Sequence, residues 1–90
     1  MNLNAKYTMS RQAVIRPERF GGLAYRYDNR RLYFLYSHEL VAFVHEIDGE
    51  RPLGDQIDTY LAQHNLSPKS KENFVKALTQ LESLEIIHEL

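Results

Sequence analysis

Four histidines, His38, His45, His64 and His88, are the side chains of this chain best suited to proton transfer or metal ligation. Only His38 and His45 lie close in sequence, at i and i+7, and neither belongs to an HExxH motif or a carboxylate-supported cluster. With no donor set at metal-ligand spacing, they read as surface histidines. There is no cysteine, which excludes a thiol nucleophile, a Cys-type zinc site and a Cys-ligated iron–sulfur cluster. Ser37, Ser67, Ser70 and Ser83 sit where helix caps and helix surface are expected, with no base at nucleophile spacing. Gly21-Gly22 precedes a strand pattern, where a bend needs flexibility, and is not a phosphate loop. The chain is therefore expected not to be an enzyme, with no catalytic residue, cofactor or metal of its own.

The elements that must position any binding site fit in 90 residues, enough for one domain with one modest core. A hydrophobic fraction of 43% and a charged fraction of 26% are those of an ordinary globular chain. No apolar run approaches the ~18 residues of a membrane span, and no h-region of a signal peptide opens the sequence. No membrane association and a cytoplasmic location are expected. The net charge of -1 is unevenly spread. Residues 11 to 31 carry six arginines against Glu18 and Asp28, whereas residues 32 to 66 carry Arg51 against six carboxylates. A basic first part and an acidic middle suit a charged partner on one side.

The first twelve residues are polar and are expected to be flexible, with the folded domain spanning 13 to 90. "AVIRP" at 13 to 17 predicts a strand stopped by proline, and "GLAYRY" and "LYFLY" predict a hairpin turning at "DNRR". A two-residue Asp28-Asn29 loop pairs Tyr25 with Leu32, and a four-residue loop pairs Tyr25 with Phe34. In either case Leu23, Tyr25, Leu32, Phe34 and Tyr36 share one face, expected to be the core face. The opposite face carries Ala24, Arg26, Arg31, Tyr33 and Leu35.

Three helices follow. Ser37 caps the first, with Leu40, Val41, Val44 and Ile47 as its apolar stripe and Gly49 at its C′ end. Pro52 opens the second, with Leu53, Ile57, Tyr60 and Leu61 at helical spacing. The third starts at Ser67-Pro68, with Phe74, Val75, Leu78, Leu81 and Leu84 apolar; "EIIHEL" ends the chain as a stub of strand. About four residues join the last two helices, a helix-turn-helix spacing. The expected class is α+β, a winged helix-turn-helix-like domain with a three-stranded antiparallel sheet followed by three helices.

That shape raises the alternative of a DNA-binding transcriptional regulator, which needs several phosphate contacts around its second motif helix. Lys69, Lys71 and Lys76 are offset there by Glu72, Glu82 and Glu85, and the pI of about 6.4 is far from basic. No nucleic-acid partner is expected. What remains is a binding module.

"RPERFGGLAYRYDNRRLYFLYSHELVAFV", with "IDGERPLGDQI" and the closing "FVKALTQLESLEII", resembles the PqqD-like RiPP recognition elements, and among them the peptide chaperones of mycofactocin biosynthesis. The resemblance covers residues 13 to 90 and is most specific from Arg16-Pro17-Glu18 through Phe20-Gly21-Gly22 to Tyr25. It implies a domain that binds the leader of a ribosomally synthesised precursor peptide and presents it to a radical S-adenosylmethionine (SAM) maturase. In such elements the leader adds as a strand beside the third strand, in a groove closed by the third helix. Carried over by position, the peptide-binding residues are Arg31, Leu32, Tyr33, Phe34, Leu35 and Tyr36 on the strand. Asn73, Lys76, Ala77, Gln80 and Leu84 would form the helix side. The chain is expected to be a monomer or a homodimer pairing strand edges.

Physical chemistry constrains that mode of binding. Ordering each leader residue costs ~1–2 kcal/mol of backbone entropy, while a ladder hydrogen bond returns only ~0.5–1.5 kcal/mol net. Main-chain pairing alone cannot hold a flexible peptide. Apolar anchors worth ~1.5–3 kcal/mol each must enter a pocket, for which Tyr33, Leu35, Ala77 and Leu84 are the candidates.

Overall fold

A computed structural model describes residues 1–90. Five strands and three helices follow one another as β1 (Tyr7–Met9), β2 (Ala13–Glu18), β3 (Gly21–Arg26), β4 (Leu32–Leu35), α1 (His38–His45), α2 (Leu53–Gln63), α3 (Ser70–Ser83) and β5 (Ile87–Glu89). The class is α+β: an antiparallel sheet in the order β2-β3-β4, followed by three helices, consistent with a winged-helix-like fold. A second, two-stranded sheet joins β1 to β5.

The β3–β4 register pairs Tyr25 with Leu32 and Leu23 with Phe34, the pairing of the Asp28-Asn29 alternative. The connecting loop nevertheless spans Tyr27 to Arg30. Arg26 N–H donates to the Arg31 carbonyl and Arg30 N–H to the Arg26 carbonyl, with Arg30 in the left-handed region.

The face assignment is reversed from the expected one. Ala24, Arg26 and Leu35 are buried, with Ala13 and Ile15 of β2 beside them, and Tyr33 is half-buried against the core. Leu32, Phe34 and Tyr36 are exposed. The cause is close packing. Val41 of α1 lies so near Gly22 that a Cβ there would meet its Cγ2 at 2.5 Å. At Gly21, with φ +143, a Cβ would collide with the Leu35 carbonyl oxygen. These glycines let helix and strands approach, rather than serving only as a bend. Small residues face the helices and the large rings are left outside.

The N-terminal segment departs from expectation too. Tyr7 is fully buried, its hydroxyl accepting from Asn2 N–H at 2.9 Å and donating to Glu82 at 3.0 Å. Burial in this place pushes its pKa up. The partner that orders β1 is β5, at the far end of the chain, so no local pattern announces it.

The helices follow their apolar stripes. Leu40 N–H donates to the Ser37 side chain at 3.1 Å, the expected N-cap. Helix α1 ends before Asp48, at C-cap Glu46, with Gly49 at φ +70 in the loop beyond. Phe43, Tyr60 and Phe74, one from each helix, meet with ring centroids 5.5 to 6.0 Å apart and lock the three together. No helix is long and apolar enough to cross a membrane.

Candidate peptide-binding groove

Two edges of the main sheet are unpaired, and they differ. Antiparallel pairing alternates inward- and outward-bonding residues along an edge strand. On β2, Ala13, Ile15 and Pro17 face outward by this phase. Ala13 N–H is taken by the Ser10 carbonyl at 3.3 Å, and the Ile15 carbonyl meets His45 Nε2 at 3.0 Å. Pro17 has no N–H to offer. Edges blunted in this way resist pairing with another chain.

The β4 edge carries no such protection. Because Arg26 N–H bonds the Arg31 carbonyl, the pairs Ala24–Tyr33 and Gly22–Leu35 bond inward. The N–H and carbonyl groups of Leu32 and Phe34 therefore point away from the sheet, an open template for one more strand.

A groove runs beside this edge. Its deeper part, about 440 Å³, has Leu35, Leu40, Leu66, Phe74 and Ala77 as its apolar lining and Ser37, Glu39, Ser70 and Asn73 as its polar groups, with Tyr33, Phe34 and Tyr36 on the strand side. A shallower continuation of about 550 Å³ shares Tyr33, Asn73 and Ala77, and extends along α3 past Lys76, Thr79 and Gln80. Glu39 is the carboxylate of the deeper part and Lys76 the cation of the shallower one. Lys76 also lies 3.6 Å from Glu72, one turn earlier, and both are exposed.

Most of the residues expected from sequence are brought together here: Tyr33, Phe34, Leu35 and Tyr36 with Asn73, Lys76, Ala77 and Gln80. Tyr33 and Leu35 are not outer-face residues, however; they reach the groove from the helix-facing side. Leu84 lines neither part, because it is the C-cap of α3 and packs half-buried against the core. Arg31 and Leu32 are exposed and line neither part. Leu40, Leu66, Phe74, Ser37, Glu39 and Ser70 were not anticipated at the site. Leu40 and Phe74 stood out only as core-stripe residues. Leu66 belongs to the α2–α3 connection, whose path a helical pattern does not specify.

No group of three or more His, Asp or Glu side chains is placed to hold a metal ion. The geometry is that of a binding domain in which an exposed strand edge lies over a lined groove, able to take an extended peptide. The chain belongs to the peptide chaperone MftB family, whose sequence model matches residues 6–88. The match begins just before β1 and ends within β5, so the Tyr7 strand is part of the family's domain. Comparison with curated proteins and with solved structures gives no match.

Proposed function

We propose that this chain binds the leader of a ribosomally synthesised precursor peptide by strand addition to β4 and presents it to a radical SAM maturase, in the cytoplasm and in mycofactocin biosynthesis. The observation that carries the reading is the contrast between the two sheet edges. The β2 edge is blunted by Pro17 and His45, whereas β4 is open where it meets the groove against α3. Membership of a peptide chaperone family supplies the kind of ligand. The peptide backbone pairs with Leu32 and Phe34, and alternate side chains enter the groove, the apolar ones toward Leu40, Leu66 and Phe74.

The chain contributes affinity and orientation, and the radical chemistry belongs to the partner. Calorimetry with a synthetic leader of a mycofactocin-type precursor peptide tests the reading. A one-to-one complex that protects β4 is expected. A leader that does not bind, or that binds without touching β4, would overturn it.

A further inference from the structure

The side of the main sheet turned away from the helices is bare, and it is where the chain exposes its largest rings. Phe20, from the β2–β3 turn, packs against Phe34 with centroids 5.8 Å apart and against Tyr36 at 5.5 Å. Tyr36 is 77% exposed, and Leu32 continues the strip along β4. A contiguous exposed apolar patch of this kind marks an interaction surface. Its charges have one sign in excess. Arg16 is bound to Glu18 at 3.1 Å, while Arg19 and Arg30, at opposite ends of the hairpin, form no ion pair.

We infer that this face docks a folded protein whose own surface is apolar with an acidic rim, and that, on the proposed function, this protein is the maturase. Charge decides among the occupants. A second copy meeting this face symmetrically would set the unpaired Arg19 and Arg30 against like charges. Docking on the acidic middle of another copy would be head-to-tail and would not close. A single-stranded nucleic acid also stacks on rings, but needs a basic track along its backbone. Here Phe20 and Phe34 pack edge to face, and the arginines stand only at the margins. An acidic protein surface satisfies both the rings and the unpaired guanidiniums. The placement also suits presentation: a leader added beside β4 lies in the plane of the sheet, so an enzyme on the bare face meets the peptide at its margin.

The test uses the full chain, a purified radical SAM maturase of the mycofactocin type and the synthetic leader. The double variant Arg16→Glu/Arg19→Glu and the single variant Phe20→Ser change the face while leaving the β4 edge intact. Each is expected to weaken maturase binding by ~10-fold or more, with affinity falling as salt rises for wild type. Leader affinity of the charge variant should stay within ~2-fold of wild type, since rim charges lie outside the groove. Maturase binding unchanged in both variants, wild type that does not bind the maturase, concentration-dependent dimers abolished by Phe20→Ser, or tight binding of a fluorescent oligothymidine would each overturn the inference. Failure of wild type to bind the leader instead strikes the proposed function, so the two failures are distinguishable.

Discussion

The guanidinium of Arg26, in β3, donates to the backbone carbonyl of Glu85, 59 residues away in the turn that ends α3. The same group holds Asp28 through two bonds, Nε to Oδ1 at 2.9 Å and a terminal nitrogen to Oδ2 at 2.7 Å. Glu85 is left-handed, at φ 60, and closes the helix. One buried side chain thus ties the loop that leads into β4 to the end of α3, and β4 and α3 are the two walls of the groove. Arg26→Met keeps the apolar stem but removes every donor, leaving the Glu85 carbonyl unpartnered and Asp28 with only the backbone N–H of Asn29. A lower thermal midpoint is expected, with weaker leader binding as the walls loosen; a midpoint at or above wild type would count against this role.

Acid should act through the same contact. The hydrogen bonds from Arg26 hold Asp28 below its ordinary value of 3.8, and the backbone N–H of Glu50, followed by that of Arg51, does the same for Asp48. Both folded pKa values are depressed, so their stabilisation is present above 3.8 and is lost as pH falls through the folded values. Urea midpoints should therefore be steady from neutrality down to about pH 4 and then drop, with a shallower drop in Asp28→Asn. An identical acid limb in the variant would contradict the assignment.

Helices and pairing were legible because their signals are local. The Ser37 cap, the 3.6-residue stripes and the existence of the hairpin all follow from neighbouring residues, whereas its register stood open between Tyr25–Leu32 and Tyr25–Phe34 until the structure fixed the former. The buried face was not, because both faces of "GLAYRYDNRRLYFLY" mix apolar and polar residues. What decides is the small size of Gly22 and Ala24 under α1, and ranking by hydrophobicity favours the rings instead. Strand β1 was hidden because Tyr7 owes its burial to Glu82 and β5. The groove was legible as strand against helix. Leu66 and the displacement of Leu84 were not, since they depend on where α3 starts and stops.

The inverted face changes which mutants are informative. Leu35 is 2% exposed, so Leu35→Ala should cost ~2–5 kcal/mol of stability and confound any binding measurement. Ala77 is a better probe: half-buried, on α3, and shared by both parts of the groove. Ala77→Tyr should fill the groove and weaken leader binding by ~10-fold or more, equivalent to ~1.4 kcal/mol. Its urea midpoint should stay near that of wild type. Unchanged affinity in a folded Ala77→Tyr would place the leader elsewhere.

Duplex DNA should bind weakly. Lys71 is engaged with Asp58 at 2.8 Å and Lys76 lies near Glu72, so α3 offers few free cations for phosphates. At ~0.15 M salt no sequence-specific shift is expected at nanomolar protein, because several unpaired phosphate contacts are needed for that. A specific gel shift would revive the regulator alternative.

The sharpest prediction separates neighbouring amides on one strand. Tyr33 and Leu35 bond inward to β3, whereas Leu32 and Phe34 point to the open edge. On leader binding, the amides of Leu32 and Phe34 should gain hydrogen-exchange protection, because they acquire carbonyl partners. Those of Tyr33 and Leu35 should change less, being already bonded. Amides from Asn73 to Gln80 should shift in NMR spectra without large new protection, since α3 already satisfies them. An alternating pattern along β4 is the signature of an added strand, and side-chain docking alone would not produce it. Uniform protection across β4, or changes confined to α1 and α2, would defeat strand addition even if the leader binds.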